Sequence, residues 1–176
     1  MLEFSAPRRP VFLLPLLMGG LLVFYSALLQ ARQESGQRQN GGMQQAAWVG
    51  SNTAEKEELG RYLGEAQLVG SGTFAFAFWD VYDANLYSAS GQFDSDKPFA
   101  LELVYHRNFK GEDIADRSAE LIRQQGFEDE IRLASWHSQM AMIFPDVQEG
   151  TRLTGVRTQQ GFASFLLDGQ PVGEIR

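Results

Sequence analysis

The chain contains no cysteine and only two histidines, His106 and His137. The absence of cysteine excludes disulfide bonds, thiolate metal ligands and a cysteine nucleophile. The two histidines are separated by 30 residues, and neither lies in the HxxxH or HxxE spacing that is common in zinc sites. We therefore expect neither a metal site nor a cofactor.

Motifs for phosphate binding and for a serine nucleophile are also lacking. The glycines of residues 70–72 (GSG) precede another strand pattern, without the third glycine and the helix of a dinucleotide-binding turn. No G-x-S-x-G segment occurs, and residues 94–96 (DSD) lack the glycine and distal glutamate of a calcium loop. These segments predict a strand entry and a solvated turn, and no catalytic residue is assigned.

Positive charge is scarce. The chain has 15 lysines and arginines against 22 aspartates and glutamates, a net charge of −7. Residues 32–176 alone carry 13 basic and 21 acidic residues, a net charge of −8. A domain with this charge repels nucleic acid and anionic lipid headgroups, so we expect no nucleic-acid partner.

Residues 11–29 form a long hydrophobic run of 19 residues without a charge. As a helix they would be about 28 Å long, close to the bilayer hydrocarbon thickness of roughly 30 Å. Arg8 and Arg9 precede the run, which predicts a cytoplasmic N-terminus and an exported remainder. Residues 1–31 are predicted to anchor the chain in the inner membrane with its domain in the periplasm. A cleaved signal peptide that secretes the domain, and a buried helix of a soluble protein, are the alternatives.

Residues 32–54 are rich in glutamine, glycine and asparagine and contain few apolar residues. Such a composition buries too little surface to offset the entropy of ordering, so it predicts a flexible linker. Trp48 is the exception, and it either docks on the domain or lies at the membrane interface. Residues 55–176 then form the folded domain.

Three strand patterns open this domain, at residues 68–78, 81–89 and 97–109. In the first, Phe74, Phe76 and Phe78 alternate with small residues, which predicts a row of core side chains on one face. Trp79 and Asp80 are predicted to form the tight turn to the second strand. The short connections favour an antiparallel meander.

Two helices and three further strands follow. Residues 111–126 carry Ile114, Ser118, Leu121, Ile122 and Gln125 at helical spacing, and residues 127–145 carry a stripe of Ile131, Ala134, Met140, Ala141 and Ile143 or Phe144. Strands are predicted at 151–158, 161–169 and 170–175, with a hairpin turn at Asp168 and Gly169. The predicted fold class is α+β, an antiparallel sheet with helices layered on one face.

Asp80, Asp83 and Arg117 have both a functional and a structural interpretation. The two aspartates are three residues apart on one strand, so they face opposite sides and cannot act as an acid–base pair without a bulge. Turn and edge roles are favoured for them. Arg117 either points toward the sheet or forms a salt bridge with Asp113 or Glu120 on the helix surface.

Three segments in order resemble the bacterial chalcone isomerase-like proteins, which are related to plant chalcone isomerases and to plastid fatty-acid-binding proteins. They are LVGSGTFAFAFWDVYDANLYSASG, FALELVYHRNFKGEDIADRSAELIRQQG and IFPDVQEGTRLTGVRTQQGFASFLLDGQPVGEI. The resemblance covers about residues 68–175, and its most specific part is the FPDxxxG stretch with the hairpin that follows it. It implies an antiparallel sheet with a helical layer.

The resemblance also implies where a ligand site would lie. The family's catalytic arginine and threonine fall on Phe74 and Tyr82, and its helical tyrosine, lysine and asparagine fall on Ile114, Arg117 and Leu121. Only Arg117 keeps a comparable charge, and losing the cationic clamp removes electrostatic stabilisation of an anion. The resemblance thus implies a small apolar or lipid-like ligand near Phe74, Tyr82 and Arg117, without catalysis. An intramolecular lyase of unknown substrate and an interaction module without a ligand are the alternatives.

Members of this family usually continue into a further helical segment after the strand that ends in GEI, whereas this chain ends at Arg176. Either this copy of the domain is truncated at its C-terminus or the sequence is a fragment. A missing helical segment would leave the apolar sheet face formed by Phe162, Phe165 or Leu167 partly uncovered.

Overall fold

A computed structural model describes residues 53–76 and 78–176, with side chains from Glu57 onward. The predicted anchor or signal segment, Trp48 and almost all of the predicted linker lie outside the described residues. Within the described part of the chain, no helix is both long enough and apolar enough to cross a bilayer.

The described residues form three helices and six strands. In chain order they are α1 (Thr53–Leu63), β1 (Gln67–Phe76), β2 (Trp79–Ser88), β3 (Phe99–Tyr105), α2 (Gly111–Gln124), α3 (Glu130–Ile143), β4 (Arg152–Arg157), β5 (Ala163–Leu167) and β6 (Gln170–Ile175).

The strands form one open sheet whose spatial order is the chain order, β1-β2-β3-β4-β5-β6, with every neighbouring pair antiparallel. Strands β3 and β4 lie side by side although α2 and α3 separate them in sequence. The predicted α+β class and the antiparallel meander are confirmed.

Helices cover both faces of the sheet, so the prediction of a single helical face is wrong. Helix α1 buries Leu59 and Leu63 against one face, where they pack on Ala100 and Val156. Helices α2 and α3 cover the other face. The apolar signal of α1 consists of only two leucines four residues apart, beside a glutamine-rich segment that gives no hint of order.

Helix α3 buries a different stripe from the predicted one. Ile131 is 88% exposed, whereas Leu133, Trp136 and Met140 face the sheet. Both stripes have helical spacing, and the buried one contains the larger apolar surface. The helix begins at Glu130, where the Asp129 carboxylate accepts a hydrogen bond from the Arg132 backbone N–H at 3.0 Å.

The β1–β2 hairpin closes earlier than predicted. Phe76 pairs with Trp79, so Trp79 and Asp80 belong to β2 and do not form the turn. A bulge between Phe74 and Ala75 interrupts the alternation along β1. The predicted row of core phenylalanines is therefore wrong beyond Phe74, because Phe76 is 72% and Phe78 98% exposed.

The β5–β6 turn is as predicted. Asp168 and Gly169 have φ values of 48° and 81°, and Leu167 pairs with Gln170 across them. Two successive positive φ values are the geometry of a type I′ turn, which Asp-Gly favours and which matches the twist of a hairpin.

The sheet face expected to be uncovered at the C-terminal end is covered. Phe165 is 5% exposed, and its ring packs edge-on against Phe144 at the end of α3, with the ring centroids 4.9 Å apart. Leu167 also packs against this core. The expectation of a bare apolar face is wrong for this part of the sheet.

The start of α2 requires a glycine. Gly111 donates its backbone N–H to Asp146 Oδ1 at 2.9 Å, and a Cβ at this position would lie 2.0 Å from the Phe144 carbonyl oxygen. We expect Gly111→Ala to lower the free energy of unfolding by about 1–3 kcal/mol, because backbone must move to relieve the clash.

Gly60, within α1, is the matched control. A Cβ there meets nothing within 4 Å, so Gly60→Ala should raise the free energy of unfolding by roughly 1 kcal/mol through helix propensity. Urea unfolding measures both variants. Shifts of the same sign in the two proteins would contradict the proposed close contact at Gly111.

Candidate ligand-binding cavity

A cavity of about 570 Å³ lies between the sheet and α2. Its walls are mainly aromatic and aliphatic. They consist of Phe74, Phe76, Val81, Tyr82, Leu101, Leu103, Tyr105, Phe109, Asp113, Ile114, Arg117, Ser118, Leu121, Met140, Phe144, Leu153, Gly155 and Phe165. A cavity of this size and lining is typical of sites for small molecules.

The sheet supplies the floor through its period of two. Leu101, Leu103 and Tyr105 of β3 alternate toward the cavity, and Leu153 and Gly155 pair with two of them across β4. The intervening residues of β3 face α1 instead. Strand β3 therefore contributes Leu101, Leu103 and Tyr105 to the cavity wall, and Ala100 to the apolar contacts with α1 on the opposite face.

Helix α2 supplies the roof. Ile114, Arg117, Ser118 and Leu121 are spaced by three and four residues and so lie on one face of the helix, toward the cavity. The face directed at α3 and the core is made of Ala115, Ala119 and Ile122, which are all buried. The small alanines let α2 pack closely while its larger residues remain around the cavity.

Four aromatic rings form a continuous wall. Phe74 stacks on Tyr82 with ring centroids 5.1 Å apart, Tyr82 meets Tyr105 edge-on at 6.0 Å, and Tyr105 lies 5.6 Å from Phe109. Offset-stacked and edge-on contacts are the favoured arrangements of aromatic pairs. The wall is thus preformed by its own ring contacts.

Two tyrosine hydroxyls on this wall have no hydrogen-bond partner among the residues that the structure describes. Tyr105 is 4% exposed, and no residue in the described part of the chain forms a hydrogen bond with its hydroxyl or with that of Tyr82. Burial raises the pKa of both hydroxyls, and the Arg117 guanidinium opposes this at Tyr82 to a smaller extent. Both groups are therefore neutral hydrogen-bond donors at physiological pH, and a buried hydroxyl without a partner is costly.

Arg117 and Asp113 are the charged residues of the lining. The Arg117 guanidinium pairs with Glu120 one turn along the helix, and about half of its side chain is exposed. Arg117 therefore combines both predicted possibilities, a surface salt bridge and a position beside the cavity. An exposed pair of this kind contributes little stability, so the guanidinium is able to exchange partners.

All three residues predicted to bind a ligand line this one cavity. Phe74 and Tyr82 stack on each other on adjacent strands, and Arg117 lies on the helix. Ile114 and Leu121, at positions that the resemblance matched to catalytic residues, also line it. Their role in binding stays a prediction.

Sequence reasoning missed Tyr105 and Ser118 as members of the cavity wall. The signal for Tyr105 was present, because it continues the alternation of Leu101 and Leu103 along β3. Ser118 was placed on the apolar face of its helix. Its hydroxyl donates a hydrogen bond to the Ile114 carbonyl oxygen at 2.7 Å. The hydroxyl therefore has a partner within its own helix.

The remaining candidate groups lie apart from the cavity. Asp83 faces the side of the sheet that α1 covers, where it accepts from the Thr73 hydroxyl at 2.6 Å and lies 3.0 Å from His106 Nε2. His137 Nε2 lies 2.6 Å from Asp116 Oδ1, between α3 and α2. Among residues 53–76 and 78–176, no three metal-ligating side chains converge.

The raised tyrosine pKa values predict a loss of stability at high pH. Above the ordinary tyrosine pKa of 10.0 the unfolded chain releases the Tyr105 proton while the folded chain retains it. The free energy of unfolding should then fall by about 1.4 kcal/mol per pH unit because of this group. Below pH 10 the contribution of the Tyr105 hydroxyl to stability should be fully present. In Tyr105→Phe this part of the slope should vanish, with no loss of stability at pH 7, as measured by urea unfolding at several pH values. An unchanged slope would contradict burial of the hydroxyl.

The sheet order, the two helical layers and the cavity define an α+β domain with an open antiparallel sheet. No protein-family model matches the sequence, and no curated protein shows significant similarity to it. Among solved structures, the chain is similar to the crystal structure of a fatty-acid binding protein from Arabidopsis thaliana. The identity is 13% and the TM-score 0.48, over 62% of this chain and 72% of that chain.

Proposed function

We propose that the chain is a non-catalytic ligand-binding protein of the chalcone isomerase-like class, which holds a small apolar molecule between the sheet and α2. The observation that carries the proposal is the preformed cavity of about 570 Å³ with its mainly apolar lining. Burying an apolar ligand there removes both the ligand and the wall from water, which favours binding.

The ligand should also carry one polar group that accepts hydrogen bonds. Within residues 53–76 and 78–176, neither the buried Tyr105 hydroxyl nor the half-buried Tyr82 hydroxyl has a hydrogen-bond partner, and an acceptor on the ligand would satisfy both donors. The Arg117 guanidinium favours an anionic acceptor at the same end of the cavity. A carboxylate or a ketone on an apolar body fits this description.

Binding is favoured over an intramolecular lyase reaction by the side chains on the wall. The positions that the resemblance assigns to catalytic groups hold Phe74, Ile114 and Leu121, which neither bind an anion nor transfer a proton. An interaction module without a ligand would not need a preformed cavity.

We further propose that residues 11–29 hold the chain in the inner membrane, with the ligand-binding domain in the periplasm. The uncharged run of 19 residues and the arginines at 8 and 9 support this. Alkaline extraction of membranes tests it: the full-length chain should stay in the membrane pellet. A shortened chain in the periplasm would instead indicate a cleaved signal peptide, and a full-length chain in the soluble cytoplasm would contradict export.

Mass spectrometry of the purified full-length protein tests the binding proposal. Solvent extraction should release an apolar molecule with one polar group, in a ratio near one per chain. Detergent-exchanged protein should then bind an apolar fluorescent probe that the extracted molecule displaces. A protein that carries nothing and does not take up the probe would contradict the proposal.

A further inference from the structure

The β1–β2 hairpin ends in three exposed aromatic side chains. Phe76, Phe78 and Trp79 are 72%, 98% and 57% exposed, whereas most large apolar residues of the described domain are buried or half-buried. Hydrophobic residues exposed singly are ordinary, but three exposed aromatic side chains within four residues concentrate apolar surface at one end of the hairpin. We name Phe76, Phe78 and Trp79 the aromatic tip.

The aromatic tip is continuous with the ligand cavity and has a cation beside it. Phe76 lines the cavity, so the tip lies at its mouth. The Arg107 guanidinium, which follows β3, lies 4.4 Å from the centroid of the Trp79 ring. Aromatic rings with an adjacent arginine are typical of protein surfaces at the membrane–water interface, where the rings enter the acyl boundary and the cation stays at headgroup level.

We propose that the aromatic tip docks into the surface of a lipid bilayer and turns the cavity mouth toward it. The proposed membrane anchor brings the domain to a bilayer, because only 23 residues lie between the uncharged run of residues 11–29 and α1. If the predicted linker is a flexible coil, 23 residues span roughly 26 Å on average, which keeps the domain within reach of the membrane surface.

The charge of the domain determines how the tip docks. Residues 32–176 carry a net charge of −8, which opposes attraction to anionic lipid. Docking therefore rests on insertion of the rings, and it should occur on neutral phosphatidylcholine and persist in high salt. A second copy of the chain, pairing through the edge strand β1, is the competing occupant of this surface.

The absence of cysteine makes a direct test simple, because one introduced cysteine gives a single labelling site. Phe78→Cys and, as the matched control, Ile131→Cys on α3 are each spin-labelled in the full-length chain and reconstituted into phosphatidylcholine vesicles. Both side chains are almost fully exposed, at 98% and 88%, so neither change threatens folding. Accessibility to oxygen and to a water-soluble relaxation agent then reports the depth of each label.

The label at 78 should lose access to the water-soluble agent and gain access to oxygen, in low and in high salt, while the label at 131 remains in water. Equal depths of the two labels, or docking that high salt abolishes, would overturn the proposal. Close approach between the labels at position 78 of two different chains would overturn it in favour of self-association.

This inference rests on the proposed membrane anchor but not on the ligand. A full-length chain that stays in the aqueous phase overturns both the anchor and the docking. A vesicle-bound chain whose label at 78 stays in water overturns the docking alone, and a cavity that binds no ligand leaves the docking result unchanged.

Discussion

Replacing Ser118 with tryptophan should lower the affinity for an apolar ligand about 10- to 100-fold while the protein stays folded. Ser118 lines the cavity from α2 and uses its hydroxyl only within its own helix. An indole at this position would occupy part of the 570 Å³ that the ligand needs. Fitting both the indole and the ligand into the cavity costs about 1–3 kcal/mol through overpacking, which corresponds to the expected loss of affinity.

The control is the same substitution on the neighbouring helix. Ser135 is exposed on α3 and does not line the cavity, so Ser135→Trp should leave the affinity unchanged. Titration with an apolar fluorescent probe compares both variants with the unmodified protein. Equal affinities of the two variants would place the ligand somewhere other than in this cavity.

On the face of the sheet opposite the cavity, we expect substitution of Glu102 to lower the free energy of unfolding most. Its side chain is completely buried on this face, where it accepts a hydrogen bond from Asn85 Nδ2 at 2.7 Å and lies 3.3 Å from Arg152 Nη1. The Arg152 side chain is itself only 19% exposed. Removing one partner of a buried ion pair usually costs about 3–5 kcal/mol. Glu102→Ala removes such a partner and also the acceptor of the Asn85 amide, so we expect its cost to fall in this range.

A glutamate in an exposed pair is the control for this prediction. Glu130 forms two hydrogen bonds with Arg123, at 2.8 and 2.9 Å, on the surface of α3. Glu130→Ala should be far milder, because solvent screens exposed pairs. Urea unfolding measures both, and similar losses would mean that Glu102 contributes no more than a surface charge. Because Glu102 faces away from the cavity, a folded Glu102→Ala protein should keep its ligand affinity.

Elements with a strong local signal were predictable from the sequence. Asp168 and Gly169 predict their hairpin because this pair accepts two positive φ values, and the alternation along β3 predicts a strand with two distinct faces. Helix α1 was not predictable. Its order comes from Leu59 and Leu63 packing on the sheet, a tertiary contact that leaves little trace in a short polar segment.

The hairpin of β1 and β2 shows why register was mispredicted. Alternating phenylalanines indicate a strand with one core face, but a bulge after Phe74 changes which residues face the core. No local pattern marks this bulge, because the pairing with β2 determines it. Because Phe76 and Phe78 were assigned to the core, the exposed aromatic tip was not predicted.

The cavity was only partly predictable. Phe74, Tyr82 and Arg117 came from a family resemblance, and the structure places them around one cavity. The composition of α2 alone indicated an apolar face, but not whether that face packs tightly or leaves space. That depends on how closely the small residues Ala115 and Ala119 let the helix approach its neighbours, which is a property of three-dimensional packing.

Methyl NMR of the full-length protein, titrated with a fatty carboxylate, tests the cavity most directly. We expect shift changes at Ile114, Leu121 and Met140, which line the cavity, and none at Leu59 and Leu63, which belong to α1 on the opposite face of the sheet. Changes confined to the α1 methyl groups, or none at saturating ligand, would contradict this expectation.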